Sequence, residues 1–220
     1  MRKQELYDRV IAYFEQTMPV AESELVYGSP FQLLVAVILS AQCTDKRVNM
    51  VTPALFAAYP DAETMSHASA DDIFAYIHSV SYPNSKSRHL AEMSRMLVSD
   101  FGGQVPADID LMQRLPGVGR KTANVVAAVI FEMPAMPVDT HIFRVSNRIG
   151  LTVNSKTPLS TERELTSHIP GELLPKAHHW LLLHGRYTCT ARKPKCDRCG
   201  LVELCRYHRQ AEKGGVNAVC

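Results

Sequence analysis

Leu115-Pro116-Gly117-Val118-Gly119-Arg120-Lys121 is the stretch around which the rest of this 220-residue chain falls into place. Pro116 ends any helix that reaches it, because its ring fixes φ and its nitrogen has no proton to donate. Gly117 and Gly119 admit positive φ and leave neighbouring N–H groups uncovered. Apolar residues at helical spacing then run from about Arg120 to Ile130. A helix that starts there aims free N–H groups and a positive dipole end at the turn, which describes an anion site. An ordinary helix-to-helix turn with a glycine stop has the same bare pattern.

Outward from the turn, the chain reads as helices. Ser29-Pro30-Phe31-Gln32 has the form of a capping box with proline at the first helical position. The apolar run Leu33 to Leu39 follows it and predicts a helix buried on all sides. Thr44-Asp45 opens another helix, with Val48, Val51 and Leu55 at helical spacing. Ser69-Ala70-Asp71-Asp72 resembles a further cap before Ile73, Phe74 and Ile77. Leu90, Met93, Leu97 and Phe101 form a stripe that stops at Gly102-Gly103. One more helix follows Asp139, and another spans Ala177 to His184 before Gly185. No period-2 alternation predicts a strand. The expected fold is therefore all-α.

Met133-Pro134-Ala135-Met136-Pro137 breaks the helical pattern and predicts a hinge or domain boundary near residue 133. The expected organisation is two helical domains: a six-helix domain over about 22–133, and a second made of 1–21 with 134–220. The tail after about Arg209 lacks periodicity and is expected to be mobile.

Composition excludes several classes. Hydrophobic residues make up 46% and charged residues 21%, which is globular rather than disordered. The Leu33–Leu39 run is far short of the about 18 apolar residues that a membrane span needs. Met1-Arg2-Lys3-Gln4-Glu5 has no apolar core of a secretion signal. Net charge is only +2, and the pI of 8.2 falls below the basic range typical of nucleic-acid domains. Any affinity for nucleic acid must come from local placement of charge. Residues 186–209 show it, with Arg186, Arg192, Lys193, Lys195, Arg198, Arg206 and Arg209 against Asp197 and Glu203.

Of six cysteines, Cys189, Cys196, Cys199 and Cys205 crowd together as C-x6-C-x2-C-x5-C. A disulfide framework would spread its cysteines through a small secreted domain. Crowding points to metal: a tetrahedral Zn²⁺ or a 4Fe-4S cluster. Zinc sites usually pair two C-x2-C knuckles and here there is one, which favours the cluster. Cys43 and Cys220 stand apart with no assigned role.

Lys121 lies in the first turn of its helix beside Arg120, where the dipole and the neighbouring cation favour the free, nucleophilic amine. A solvated lysine or a phosphate contact fits the same position. Asp139 precedes a helix, where an N-cap is the simplest role. A helix from Lys121 to Ile130 is about 15 Å long, and residues 131–138 reach up to about 26 Å when extended. The chain can therefore return Asp139 to Lys121.

Leu115-Pro116-Gly117-Val118-Gly119, then Arg120-Lys121-Thr122-Ala123-Asn124 and Val138-Asp139-Thr140-His141, resemble the helix–hairpin–helix DNA glycosylases. The endonuclease III branch is the nearest likeness. The resemblance continues in Ser40-Ala41-Gln42-Cys43-Thr44-Asp45 and in His184-Gly185-Arg186-Tyr187-Thr188-Cys189, and covers about residues 25–208.

That resemblance implies a bifunctional DNA glycosylase and AP lyase of base excision repair, acting on oxidised pyrimidines in damaged double-stranded DNA. It implies that Lys121 attacks C1′ and leaves a Schiff base, with β-elimination to follow. Asp139 would assist deprotonation and stabilise the oxocarbenium-like sugar. The four cysteines would bind a 4Fe-4S cluster, which folds a loop carrying Arg192, Lys193 and Lys195 toward DNA phosphates. Gly117, Gly119 and Arg120 would contact the backbone. Gln42 would fill the gap left by the extruded base, and Tyr82 would be a second wedge. The family's loop there usually reads glycine, a bulky apolar residue, then an aromatic; this chain departs from it at Ser81 and Pro83. His141 is read as a packed residue. The substrate groove is expected between the two domains. A monomer is expected, cytoplasmic and nucleoid-associated, with no membrane partner. Two alternatives stand beside this reading. The adenine glycosylase branch lacks the lysine nucleophile, and a non-catalytic redox-sensing DNA binder would leave abasic DNA whole.

Overall fold

The computed structural model describes residues 1–212. Every regular element among them is helical. The chain divides into two compact units, one of Met1–Glu22 with Met133–Cys220, the other of Ser23–Glu132.

The first helix, α1 (Lys3–Thr17), belongs to the discontinuous unit. The Ser23–Glu132 unit then holds seven helical segments. These are α2 (Pro30–Ser40), α3 (Asp45–Ala58), α4 (Ala62–Ser66), α5 (Ala70–Ile77), α6 (Pro83–Phe101), α7 (Ile109–Met112) and α8 (Arg120–Ile130). The short α4 and α7 bring the count above the six expected. Leu33 through Leu39 are all buried, so α2 is surrounded as its unbroken apolar run requires. Val48, Val51 and Leu55 of α3, Ile73 and Ile77 of α5, and Leu90, Met93 and Leu97 of α6 turn inward in the same core.

The starts of these helices are local chemistry. Ser29 accepts a hydrogen bond from Gln32 N, Thr44 from Arg47 N, and Ser69 from Asp72 N. At Ser69 the box is reciprocal, because Asp72 Oδ2 accepts from Ser69 N at 2.9 Å. At Ser29 the expected box is half made: Gln32 Oε1 accepts from Gly28 N at 2.8 Å instead. Gly102 ends α6 in the left-handed conformation, φ 60°.

The discontinuous unit continues with α9 (Thr140–Ile149), α10 (Pro158–Thr166), α11 (Leu174–Tyr187) and α12 (Arg206–Glu212). Its core is built on α1. Phe14 stacks on Trp180, with centroids 5.9 Å apart, and meets the edge of His184 at 5.5 Å. Trp180 Nε1 donates to Met18 O at 2.8 Å, and the Tyr7 hydroxyl to Leu151 O at 2.9 Å. The N-terminal helix is thereby fastened to residues far along the chain.

Two expectations change here. Gly185 does not stop a helix: α11 runs through it to Tyr187. A Cβ at Gly185 would stand 2.9 Å from His141 Cβ and 3.0 Å from Val145 Cγ2, so glycine lets α11 press against α9. The chain beyond Arg209 continues helical to Glu212. The rest of the tail expected to be mobile, Cys220 included, lies outside the described residues.

Replacing Phe14 with Ala empties a fully enclosed aromatic site. The expected loss is about 3–5 kcal/mol of unfolding free energy in urea titration. A loss under about 1 kcal/mol would show that α1 is not part of this core.

Candidate functional site

The turn before α8 is held from below by two buried side chains, Leu115 and Val118, and by the bond from Val118 N to Leu115 O at 3.1 Å. Gly117 takes φ +79°, and a Cβ there would fall 2.9 Å from His89 Cβ on α6. Conformation and close approach both demand glycine. Gly119 differs from expectation. Its φ of −88° is open to any residue, and nothing lies within 4 Å of where a Cβ would be. What Gly119 contributes is the lack of a side chain at the N-cap: no side-chain cap hydrogen bond closes the start of α8. The first-turn amides of any α-helix lie out of reach of its own carbonyls. An anion can take the place that a cap would fill. Arg120 and Lys121 occupy that turn, and both are exposed.

Asp139 is the N-cap of α9. Its Oδ1 accepts from His141 N at 2.9 Å and from Ile142 N at 2.8 Å. Both bonds use one oxygen, so the cap orients the carboxylate without engaging Oδ2. Asp139 is half-buried. Lys121 belongs to the Ser23–Glu132 unit and Asp139 to the other. His141 is packed, as expected: its Cβ lies under Gly185, and its Nδ1 is 3.2 Å from an Nη of Arg144.

Gln42 and Tyr82 are both exposed, Tyr82 by 64%. Both also have positive φ, 54° and 55°. A left-handed backbone costs an ordinary residue about 1–2 kcal/mol, so each conformation must be imposed by its surroundings.

Cys189, Cys196, Cys199 and Cys205 line one pocket, with Ile149, Leu201 and Val202 on its apolar walls. None of the four is in a disulfide. Burial above all pushes the thiols of Cys196, Cys199 and Cys205 up, and repulsion among the sulfurs adds to it, against amide N–H groups that bond Cys199 and Cys205. Four thiolates collected in an apolar pocket need a cationic centre to be stable there. Four sulfurs around one pocket suit a thiolate-held metal centre, a single ion or a cluster.

Two arginines that sequence reasoning passed over hold the loop that begins at Cys189. Arg144 Nε donates to Cys189 O at 3.0 Å and an Nη to Gly185 O at 2.7 Å. One turn later, Arg148 donates to Thr190 O at 2.7 Å, Ala191 O at 2.8 Å and Cys189 Sγ at 3.6 Å. The Tyr207 ring lies 4.7 Å from the Arg148 guanidinium. His184 Nε2 sits 3.7 Å from Cys199 Sγ, and burial pushes the His184 pKa down to about 4, so the ring is neutral at pH 7. The available signal was the i, i+4 spacing of Arg144 and Arg148, which puts both on one face of α9. The loop they hold presents Arg192, Lys193 and Lys195, all exposed.

A glycine-started helix with an exposed lysine in its first turn, and a four-cysteine pocket, together define a DNA-binding protein of the helix–hairpin–helix type with a metal-cluster module. Comparison with known proteins agrees. The family described as HhH-GPD superfamily base excision DNA repair protein matches residues 35–170, and the iron-sulfur binding domain of endonuclease III matches 189–205. Endonuclease III of Rickettsia conorii is 46% identical, over 93% of this chain and 97% of that protein. Endonuclease III of Bacillus subtilis is 43% identical, over 90% of each. The solved structure of a trapped endonuclease III–DNA covalent intermediate superposes with a TM-score of 0.90 at 39% identity, over 96% of this chain and 100% of that one. This chain belongs to the HhH-GPD superfamily of base excision DNA repair proteins and, within it, to the endonuclease III family. Its cofactor is a 4Fe-4S cluster.

Arg148→Ala removes three hydrogen bonds from the cluster loop. The expected result is that a chelator bleaches the visible sulfur-to-iron absorption about 10- to 100-fold faster than in the wild type. Equal bleaching rates would mean that Arg148 does not secure the loop.

Proposed function

We propose that this base excision repair protein is a DNA glycosylase with AP lyase activity, with Lys121 as nucleophile and Asp139 as the assisting carboxylate. The observation that carries the reading is the exposed side chain of Lys121 in the first turn of a helix that has no side-chain cap. A backbone phosphate bound at that helix start sets a deoxyribose beside the amine. The Nζ lone pair attacks C1′, and the C1′–N bond breaks with its electrons leaving on the base. The C1′–O4′ bond then breaks with its electrons on O4′, which takes up a proton, and the nitrogen gives up its own to leave an imine between Nζ and C1′. Loss of a proton from C2′ then expels the 3′ phosphate and cuts the strand. Asp139 helps remove the amine proton, and its charge steadies the cationic sugar. The covalent DNA complex named for a 39% identical structure supports a nucleophile that bonds to DNA.

Gly117, Gly119 and Arg120 hold the backbone at the hairpin, and Arg192, Lys193 and Lys195 neutralise phosphates from the cluster loop. The cluster, when bound to Cys189, Cys196, Cys199 and Cys205, supplies an iron–thiolate crosslink that fixes this loop. Gln42 and Tyr82 fill the space left when the nucleotide turns out of the stack. Oxidised pyrimidines are the substrate class. The enzyme works as a monomer, since one chain supplies every residue named. It works in the cytoplasm on the nucleoid. No helix among the described residues is long and apolar enough to cross a membrane.

Borohydride should trap the wild type covalently on an abasic or thymine-glycol duplex, and Lys121→Gln should abolish trapping. Undiminished trapping in that variant would remove Lys121 from the chemistry, and intact abasic DNA with the wild type would favour a non-catalytic sensor. Separately, Lys193→Ala with Lys195→Ala should reduce the slope of log affinity against log salt by about 1.8, two phosphates at about 0.9 each. An unaltered slope would place these lysines away from DNA.

A further inference from the structure

Gln42 and Tyr82 lie on two different loops of the Ser23–Glu132 unit, one after α2 and one before α6. The loops are fastened to each other. Ser81 Oγ donates to Gln42 O at 2.6 Å. Lys86, in the opening turns of α6 and only 5% exposed, donates from Nζ to Leu39 O at 2.8 Å and to Ala41 O at 2.7 Å. Those carbonyls close the C-terminal end of α2, where the helix dipole favours a cation. Three carbonyls at the end of α2 and in the loop after it, those of residues 39, 41 and 42, are thus held by Ser81 and Lys86 on either side of Tyr82.

Non-glycine residues keep a left-handed backbone only where their environment over-determines it. Here Gln42 and Tyr82 are each pinned within one residue of such a conformation by these contacts.

We propose that Ser81 and Lys86 are positioning residues that lock the Gln42 and Tyr82 loops into one element, so that both side chains enter the duplex together when the nucleotide is extruded. The inference rests on the gap-filling role proposed above for Gln42 and Tyr82. Locking the loops beforehand lowers the ordering cost of insertion, because neither has to find its bound shape on the DNA.

The test is a substitution cycle on the holoenzyme with a thymine-glycol duplex carrying 2-aminopurine beside the lesion. Stopped-flow fluorescence reads extrusion, and single-turnover cutting reads the chemistry that follows. Ser81→Ala should slow the fluorescence rise about 2- to 10-fold, the worth of one hydrogen bond. Gln42→Ala and Tyr82→Ala should each slow it, and the two together should slow it by clearly less than the product of their separate effects. In a Ser81→Ala background the same two losses should multiply, and Lys86→Met should have the same consequence. Multiplication already in the wild type, or equal non-additivity with and without Ser81, overturns the coupling while leaving the gap-filling reading in place. If neither Gln42→Ala nor Tyr82→Ala changes the fluorescence, it is the gap-filling reading that fails, and the coupling with it. Ser81→Ala removes one exposed hydroxyl, so the cycle stands even if Lys86→Met does not fold.

Discussion

A helix that starts at a residue with no side chain is the constraint on which this molecule's chemistry depends. Most helices here close their first turn with a Ser, Thr or Asp oxygen, as at Ser29, Thr44, Ser69 and Asp139. Helix α8 starts at Gly119 and has no such oxygen. Its amides and its dipole stay available to an outside anion, and a DNA phosphate is the anion at hand. Two further features follow from that opening. Gly117 must be glycine to turn the chain against His89. Lys121 stands exposed in that same first turn.

Buried cations do the corresponding work for the loops. Lys86 takes the carbonyls that end α2, and Arg144 and Arg148 take those of Gly185, Cys189, Thr190 and Ala191. Loop carbonyls removed from water need donors, and a charged donor makes the stronger bond. A long cationic side chain also crosses the gap between a helix and a loop that a serine could not span. The cluster loop is thus held at both ends of its chemistry, by thiols around the pocket and by guanidinium groups behind it. Arg192, Lys193 and Lys195 on the same loop stay exposed to solvent.

Much of this was legible along the chain, and the reason is range. A cap joins residues two or three apart, so Ser29, Thr44, Ser69 and Asp139 could be placed from their neighbours alone. The four cysteines span 189 to 205, and their spacing alone favoured a cluster over zinc. Gly185 was misread because a glycine in sequence signals a stop as readily as a close helix crossing, and only His141 and Val145 on α9 tell which. Gly119 was assigned a backbone freedom that it does not use. Lys86 gave no warning, since a cation on a helix ordinarily faces water, and Arg144 and Arg148 gave only their i, i+4 spacing on one face of α9.

The sequence by itself therefore determined the helical class, the places where helices begin, the thiol cluster, and the pairing of a hairpin with a first-turn lysine. All of these rest on contacts between near neighbours or on chemistry intrinsic to a side chain. Tertiary structure decided which cations are buried, which glycine is a contact and which a turn, and which loops are tied together. Those outcomes depend on partners far along the chain, as with Lys86 and Leu39 at a separation of 47 or Arg148 and Ala191 at 43. No local pattern encodes such a partner, because it exists only once the helices have packed.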